Sequence, residues 1–193
     1  QVPTRAYDVR LLKVKVPVGY DPVLKSYPSF WNGKFQGEEE DTKKKWTDNP
    51  AWVFYDLLTN KRYGLGKYIE EVSIDKWTLY EIAKYCDQLV DDGNGGVEPR
   101  FSCNVYINTR EEAEKVLKDF ASVFRGMIYF GLGSIHAIQD APRSFIAQFT
   151  NSNVQDGNFT YASSGKKTRA TIAIVRYNDK SNFYKLQINK IYP

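Results

Sequence analysis

Histidine is the side chain most often used for acid–base catalysis and metal binding near neutral pH, and this chain has one, His136. It lies on the second strand of a predicted hairpin. No cysteine or second histidine stands near it at the spacing of metal ligands. We therefore expect His136 to be a surface residue, or a core residue with satisfied hydrogen bonds, and not a metal ligand or a general base.

Two glycine-containing stretches resemble ligand loops only superficially. Residues 91–98 are acidic and glycine-rich, but they lack the order of oxygen ligands, glycine and glutamate that an EF-hand requires. The Gly64-Leu65-Gly66 stretch lacks the Lys-Ser/Thr pair of a P-loop and the third glycine of a dinucleotide fingerprint. No nucleophile elbow or zincin motif is present. The sequence therefore predicts no cofactor, no metal site and no enzyme activity.

The two cysteines, Cys86 and Cys103, fall in a helix-like and a strand-like segment. A disulfide between them is possible, but spacing does not decide it. Two buried free thiols are favoured. No apolar run reaches the roughly 20 residues that span a bilayer. No signal peptide is visible, and because the chain begins with Gln1 instead of Met, we expect it to be a piece of a larger protein.

The composition predicts a folded protein with an apolar core. The chain has 193 residues, of which 42% are hydrophobic and 15% aromatic, enough for one domain or two small ones. The net charge of +4 is too mild to indicate specific nucleic-acid binding. The acidic run Glu38–Asp41 and the basic run Lys43–Lys45 that follows it predict a solvated loop.

The N-terminal part alternates between apolar and basic residues. Residues 7–17 predict a strand that has a bulge at Leu11-Leu12. Residues 18–47 contain many Pro, Gly and aromatic residues, and a structureless loop of this length is uncommon unless it is pinned to a neighbour. Asn32-Gly33 is a hairpin turn signal that predicts short strands on either side, over residues 30–35.

Three helices are predicted in the middle of the chain. The first begins at Asn49-Pro50, where Asn caps free N–H groups and Pro suits the first helical position. The second covers residues 73–90, from an apolar stripe at helical spacing. The third begins at a capping box, Thr109 with Glu112 or, in the shifted frame, Asn108 with Glu111. Gly126 is predicted to end it.

Strands are predicted around these helices. Residues 101–107 predict a strand that has Phe101, Cys103, Val105 and Ile107 on one face. A hairpin is predicted from 127–130 and 134–139 around a glycine-rich turn. Two further strands, near 168–177 and 183–191, follow.

The order of these elements predicts an α+β fold in which central helices pack on antiparallel sheets and hairpins. We expect three regions: residues 1–47 as an N-terminal strand and long aromatic loop, 48–142 as a helical α+β domain, and 143–193 as a C-terminal β segment.

A long collinear set of short motifs resembles the lambda-type bacteriophage tail-tip, or host-specificity, protein J family. The set extends over roughly residues 10–142 and thins after Asn151. It includes Asn49-Pro50-Ala51-Trp52, Arg62-Tyr63-Gly64-Leu65-Gly66, Asp75-Lys76-Trp77-Thr78-Leu79-Tyr80, Tyr85-Cys86-Asp87-Gln88 and Gln139-Asp140-Ala141-Pro142. Within this set, the residues expected to matter structurally are Asn49, Pro50, Trp52, Arg62, Tyr63, Gly64, Gly66, Trp77, Tyr80, Tyr85, Cys86 and Asp87.

The resemblance implies a structural role in the virion tail tip. The resemblance implies that the chain belongs to a homotrimeric hub. This hub would close the tail tube and contact the tape-measure protein and neighbouring tip proteins. We expect other parts of the protein to contact the host receptor. We also expect the tail to assemble in the bacterial cytoplasm and the gene to belong to a phage or a prophage. In this view, residues 1–47 belong to a hub sheet, 48–142 form a hub domain and 143–193 continue into the next one. The alternatives are a receptor- or carbohydrate-binding module and a tail-associated cell-wall hydrolase.

The large side chains of the motif set, Trp52, Trp77, Tyr80 and Tyr85, are expected to anchor helix packing. Glycines 64, 66, 93 and 95 are expected to supply positive φ angles in turns. Aromatic residues of the long loop are expected to contact other subunits, since exposed aromatics are enriched at interfaces. These are Tyr27, Phe30 and Trp31.

Overall fold

The structure is a computed structural model that describes residues 5, 7, 9–38, 41–93, 95–108 and 110–191. These residues form an α+β fold of three α-helices and four two-stranded antiparallel sheets. The helices are α1 (Pro50–Thr59), α2 (Lys76–Cys86) and α3 (Ala113–Val123). The strands are β1 (Val16–Pro17), β2 (Phe35–Gln36), β3 (Leu89–Asp91), β4 (Val97–Pro99), β5 (Gly126–Gly131), β6 (Ser134–Gln139), β7 (Ala173–Asp179) and β8 (Lys185–Ile191).

Contacts within the chain divide it into two units. The central unit is Arg10–Pro142 and contains all three helices. The second unit consists of residues 1–9 and 143–193 and contains β7 and β8. None of the described helices is long and apolar enough to cross a membrane.

The start of α1 forms as its sequence predicts. Asn49 adopts an extended backbone conformation, and its side-chain oxygen accepts a hydrogen bond from the N–H of Ala51, 3.0 Å away. Pro50 occupies the first helical position, where its missing N–H is not needed. Nearly every side chain of α1 is buried, so this helix forms the centre of the core. Burial of large apolar side chains such as Trp52 and Phe54 contributes about 1.5–3 kcal/mol each.

The strand predicted over residues 7–17 is wrong for most of its length. Among the described residues of this range, only Val16–Pro17 forms a strand, paired with Phe35–Gln36. Val14 makes one further bridge, to Lys45. Leu11 and its neighbours have no partner strand in the part of the chain that the structure describes, and they are exposed. Alternation alone does not stabilise a strand that lacks a partner.

The turn at Asn32-Gly33 forms, but it does not connect a hairpin within residues 30–35. Gly33 has a φ of 79°, and the Asn32 side chain accepts a hydrogen bond from the N–H of Lys34 at 3.1 Å. Phe35 then pairs with Pro17. The loop therefore returns to the N-terminal strand instead of folding on itself.

The predicted second helix is too long at both ends. It begins at Lys76, after Asp75 has capped it by accepting a hydrogen bond from the N–H of Thr78 at 3.1 Å. It ends at Cys86, and Leu89–Asp91 instead pairs with Val97–Pro99 in a short hairpin. The apolar residues at the end of the stripe fit either structure. Leu89 is exposed, so the helical stripe gave a wrong boundary there.

The strand predicted over residues 101–107 does not form. The N–H of Phe101 donates to the carbonyl oxygen of Cys86 at 3.1 Å, and the N–H of Cys103 donates to that of Asp48 at 2.7 Å. These bonds go to the last residue of α2 and to the segment before α1, and not to a neighbouring strand. Cys103 is buried, whereas Val105 and Ile107 are exposed, so the predicted common face is absent.

Helix α3 forms, but its predicted caps are wrong. Glu112 occupies the N-cap position itself and makes no side-chain cap hydrogen bond, so neither frame of the capping box is realised. Thr109 lies outside the described residues. At the other end, Arg125 takes the left-handed conformation, with a φ of 55°, and Gly126 already begins β5.

The predicted hairpin around residues 131–133 is confirmed. β5 and β6 pair in register from Gly126↔Gln139 to Gly131↔Ser134. The turn residues Leu132 and Gly133 both have positive φ, which matches the twist of a tight hairpin. His136 lies on β6, where its Nδ1 is 3.3 Å from the carboxylate of Asp75 and its ring stacks on Tyr129.

The second unit contains the two predicted C-terminal strands, with shifted ends. β7 and β8 pair from Ala173↔Ile191 to Asp179↔Lys185. Of the residues from 143 to 191 whose burial the structure describes, none is buried. The core of the described chain therefore lies in the central unit.

Candidate functional site

A buried polar cluster lies where the long loop meets the ends of α1 and α2. It consists of Tyr20, Lys25, Tyr27, Asp48, Asn49 and Asp87, and we call it the Asp87 cluster. Its residues come from the loop, from the segment before α1 and from the residue after α2. Buried ionised groups are costly unless they are paired and hydrogen-bonded, so each partner of Asp87 needs to be identified.

Asp87 accepts two short hydrogen bonds from tyrosines. The hydroxyl of Tyr20 donates to its Oδ2 at 2.7 Å, and the hydroxyl of Tyr27 donates to the same oxygen at 2.6 Å. Burial, together with the charge of Asp87, raises the pKa of both tyrosines well above the ordinary value. Both hydroxyls therefore keep their protons and act as donors at any physiological pH.

Lys25 places a positive charge between two buried carboxylates. Its ammonium lies 3.3 Å from Oδ1 of Asp87, although it is not aligned for a hydrogen bond there, and it donates a hydrogen bond to Asp48. The Lys25 side chain is only 13% exposed, and that of Asp87 is 1% exposed. Because these groups are removed from water, their pairing is far less screened than that of a surface salt bridge.

A tight turn of the loop positions Lys25. The side chain of Asp21 accepts hydrogen bonds from the N–H groups of Val23 and Leu24, at 2.8 and 3.0 Å. Asp21 and Ser26 then close the turn as a backbone bridge. Lys25 has a φ of 54°, a conformation that is unfavourable for a residue with a side chain. The turn and the ion pairs compensate this cost together.

Asn49 joins three elements at once. Its oxygen caps α1, while its amide nitrogen donates to the carbonyl oxygen of Ala83 in α2 at 2.9 Å. The same nitrogen donates to the hydroxyl of Tyr27 at 3.3 Å. The sequence predicted the cap, but it did not predict that the same side chain also fastens α2 and the loop.

An aromatic cluster packs residues 31–35 of the loop against α1 and α2. Its members are Trp31, Phe35, Trp52, Tyr55 and Tyr80. Trp31 stacks on Tyr80 with ring centroids 4.6 Å apart, and Phe35 stacks on Tyr55 at 4.4 Å. Trp52 is fully buried, with rings of both stacks around it. The loop aromatics thus pack on helices of the same chain, where edge and stacked contacts add about 0.5–1.5 kcal/mol per pair.

The three aromatics expected at subunit contacts lie in different environments. Trp31 is 4% exposed and Tyr27 is partly buried, so both serve the core of this chain. Phe30 is 81% exposed. A contact with another subunit requires an exposed side chain. Phe30 meets this requirement and Trp31 does not.

The anchors predicted from the motif set differ in burial. Trp52 is fully buried and Tyr80 is nearly so, whereas Trp77 is 54% exposed and covers Trp31 from outside, with ring centroids 5.1 Å apart. The Arg100 guanidinium lies over the ring of Tyr85, 4.5 Å from its centroid, as in a cation–π pair.

Cys86 and Cys103 are buried free thiols. Burial raises the pKa of each to about 12, so neither forms a reactive thiolate in the folded chain near neutral pH. Two buried free thiols are what the sequence predicted.

The predicted role of the glycines is correct for one pair and wrong for the other. Gly93 and Gly95 have φ angles of 75° and 87°, which favour glycine. Gly64 and Gly66 do not have positive φ angles. At both, a Cβ atom would lie closer than 3.0 Å to a carbonyl oxygen at the end of α1. These two glycines are therefore required for space.

Asp56 is a second buried carboxylate, on α1. Its Oδ2 accepts hydrogen bonds from the hydroxyl of Tyr63 and the amide of Asn60. Its Oδ1 is buried and finds no hydrogen-bond partner among the described residues. Burial raises the pKa of Asp56, and the hydrogen bonds only partly offset this effect. Nearby Arg62 is exposed, and its backbone N–H donates to the side chain of Asn60 at 2.9 Å.

Asp56→Asn is expected to raise the free energy of unfolding at pH 7 by about 1 kcal/mol, since the amide oxygen can accept both bonds without a buried charge. Asp56 has a raised pKa in the folded state, so its contribution to stability is full below the unfolded pKa of about 3.9 and is lost as pH rises through the folded pKa. The gain should therefore shrink as pH falls through the folded pKa of Asp56 and be smallest below about 4. Urea unfolding at pH 3.5, 5 and 7 measures this.

The matched control is Asp119→Asn, which removes a charge from the exposed face of α3. It should change stability by less than about 0.5 kcal/mol at each pH. A loss of stability at pH 7 in Asp56→Asn would show that ionised Asp56 is stabilising.

The arrangement does not resemble a catalytic centre. The tyrosine hydroxyls of the Asp87 cluster are donors with raised pKa values, and its lysine is engaged by two carboxylates. A surface cavity of about 260 Å³ lies elsewhere, between residues 105–107 and α3, and its lining is mostly apolar. In the described part of the chain, no group of three or more His, Cys, Asp or Glu side chains could bind a metal ion. The cluster is suited to fixing loop geometry.

Sequence reasoning missed Tyr20, Lys25 and Asp48 as site residues. Their partner Asp87 was singled out only through the resemblance. Tyr20 and Asp87 are 67 residues apart, so no local spacing relates them. A weak signal was available. Asp87 directly follows Cys86, the last buried residue of α2, and a carboxylate that is buried there would need a partner.

No protein-family model matches the chain. Over 192 of its 193 residues, the chain is 40% identical to tip attachment protein J of Escherichia phage SECphi27. Over 173 residues, 89% of its length, it is 41% identical to tip attachment protein J of Escherichia phage SECphi4. The chain spans 16% and 15% of the lengths of these relatives, so it matches one segment of much longer proteins.

The similarity extends through both units and includes the positions of the Asp87 cluster and the aromatic cluster. The sequence-based resemblance, which weakened after Asn151, is thereby extended to the C-terminal part. Over the segment that it represents, the chain belongs to the tip attachment protein J family of bacteriophages.

Proposed function

We propose that this chain is a structural part of the tail tip of a tailed phage, acting within a homotrimeric hub that closes the tail tube. In this role it contacts neighbouring tip proteins and the tape-measure protein, and it carries no catalytic activity. The host receptor is contacted by other parts of the protein. The observation that carries the proposal is 40% identity along the whole chain to a tip attachment protein J.

The physical character of the site supports a scaffold. Lys25, Asp87 and the tyrosines around them tie a long loop to two helices with ion pairs and hydrogen bonds, which fixes the position of the loop. A scaffold needs this rigidity, because partner proteins must meet a surface of constant shape. Exposed apolar side chains, such as Phe30 on the loop, are available for such partners.

Gold labelling of intact virions tests the location. An epitope inserted at Leu132, which is fully exposed at the tip of the β5–β6 turn, leaves the core unchanged. We expect label at the distal end of the tail in electron micrographs. Label along the tube or on the capsid would contradict the proposal. Virions without the insertion control for non-specific labelling.

A further inference from the structure

The second unit, residues 1–9 and 143–193, has no core among its described residues. Fourteen large apolar or aromatic side chains between Phe145 and Ile191 are each at least 40% exposed. A folded domain buries most side chains of this kind, and a small domain has few others from which to build a core. The fold of this unit therefore requires further protein around it.

The hairpin of β7 and β8 shows which surfaces need this cover. Its register places three large apolar side chains on each face: Ile174, Leu186 and Ile188 on one, and Val175, Tyr177 and Ile191 on the other. Residues 172–175 are all apolar, whereas a strand with one face in water alternates between apolar and polar residues. This pattern is typical of a strand that is covered on both faces. Arg176 and Lys190, on the first face, have side chains long enough to reach solvent past a covering layer.

The outer edges of the hairpin are also unpaired. Neither β7 nor β8 pairs with another strand among the described residues. A two-stranded hairpin in water is marginally stable at best, and independent stability needs further strands or a packed helix. Long open edges are also a risk of uncontrolled pairing. The hairpin thus has the character of two strands from a larger sheet.

We infer that the other strands of this sheet, and the layers on both of its faces, come from sequence that flanks this segment in the same protein. The match covers 16% of the SECphi27 protein, so most of such a protein lies outside it. Both ends of the chain belong to the second unit, so any continuation of the chain is joined to this unit and not to Arg10–Pro142. Sequence that is joined to the hairpin reaches it at a far higher effective concentration than a separate protein does.

It follows that the central unit is an insertion in a discontinuous domain, of which the second unit is one part. The central unit has a buried core of its own, built around side chains such as Trp52 and Phe54. Insertion of one domain into another is tolerated when each has its own core. The central unit should therefore fold within the 193-residue chain, whereas the hairpin should depend on the flanking sequence.

Amide hydrogen exchange of two samples tests this inference. One is the 193-residue chain, and the other is the full-length parent protein, purified without other tail proteins and measured at the same molar concentration. Amides of α1 should be protected in both samples, because the central unit has its own core. Amides of β7 and β8 should exchange rapidly in the 193-residue chain and roughly 100-fold more slowly in the parent protein.

Two results would overturn the inference. Rapid exchange of the hairpin in the purified parent protein would show that a different protein supplies the cover. A protected hairpin in the 193-residue chain would show that the flanking sequence is not needed, because the hairpin alone or copies of this chain would then suffice. Neither result would affect gold labelling at the tail tip, so this inference and the proposed function fail independently.

Substitutions on the two faces test whether both are covered. Ile174→Glu and Val175→Glu place a charge on opposite faces, and each should return the hairpin of the parent protein to rapid exchange, since an unpaired buried charge is costly. Val18→Glu is the matched control, because Val18 is 43% exposed, close to the 40% of Val175, but lies in the central unit. It should leave the exchange of the hairpin unchanged. An effect of only one of the two face variants would contradict a layer on each face.

Discussion

The Asp87→Ala variant is expected to lose about 3 to 5 kcal/mol of the free energy of unfolding, because it removes one half of a buried ion pair and leaves the charge of Lys25 uncompensated on that side. Among the described residues, Lys25 would keep Asp48 as its one counter-charge, although its side chain is only 13% exposed. The hydroxyls of Tyr20 and Tyr27 would lose their acceptor in the same step. Urea unfolding followed by circular dichroism measures the loss.

Asp87→Asn separates charge from hydrogen bonding. The amide oxygen can still accept from both tyrosines, but the attraction to Lys25 is gone, so the loss should be smaller than for alanine. This variant also keeps the measurement possible if alanine unfolds the chain, since total stabilities are only about 5–15 kcal/mol. Tyr27→Phe, which removes one hydroxyl, should lose about 1 kcal/mol.

The matched control is Glu81→Gln on α2. Glu81 forms a salt bridge with Lys84 at 3.3 Å, but both side chains are well exposed, so the change should alter stability by less than about 0.5 kcal/mol. If Asp87→Ala lost no more than this control, the Asp87 cluster would contribute nothing to the fold and would not hold the long loop against the helices.

The features that the sequence predicts correctly are those with local causes. The Asn49-Pro50 pair specifies a helix start within two residues, and the glycine-rich turn after Phe130 specifies a hairpin within three. Each signal depends only on neighbouring backbone geometry. The α+β class follows from such elements without knowledge of how they pack.

The errors occur where distant residues decide the outcome. The alternating residues around Leu11 have the pattern of a strand, but a strand forms only where Phe35 and Gln36 supply a partner. The apolar residues after Cys86 continue a helical stripe, yet they pair with Val97–Pro99. In both cases tertiary pairing overrides a local pattern, and a single sequence carries no record of the pairing.

The Asp87 cluster shows the same limit for a site. Its members are polar residues whose types give no sign of burial, because Lys and Asp are mostly exposed in proteins. Only the fold brings Tyr20, Lys25 and Asp87 together. The glycines show the same limit. The turn around Gly93 predicts a positive φ from local sequence, whereas the close packing of Gly64 and Gly66 against the end of α1 is visible only in the structure.

Gly66→Ala is expected to lose about 3 to 5 kcal/mol of the free energy of unfolding, through crowding and not through backbone conformation. Its N–H donates to the carbonyl oxygen of Asn60 at 3.2 Å, and the N–H of Leu65 donates to that of Leu57 at 2.9 Å. Residues 64–66 thus satisfy carbonyls that the end of α1 would otherwise leave without partners. A methyl group beside Thr59 must push this segment away and break those bonds.

Two other glycines make the test specific. Gly93 has a φ of 75° with open space around its Cβ position, so Gly93→Ala should lose only about 1 kcal/mol, from backbone strain. Gly165 has neither a positive φ nor a close neighbour, so Gly165→Ala should change stability by less than about 0.5 kcal/mol. Urea unfolding of the three variants should therefore rank them Gly66, Gly93, Gly165. If Gly66→Ala lost no more of the free energy of unfolding than Gly93→Ala, residues 64–66 could move away from α1 without loss of stability. They would then not serve as the cap of α1.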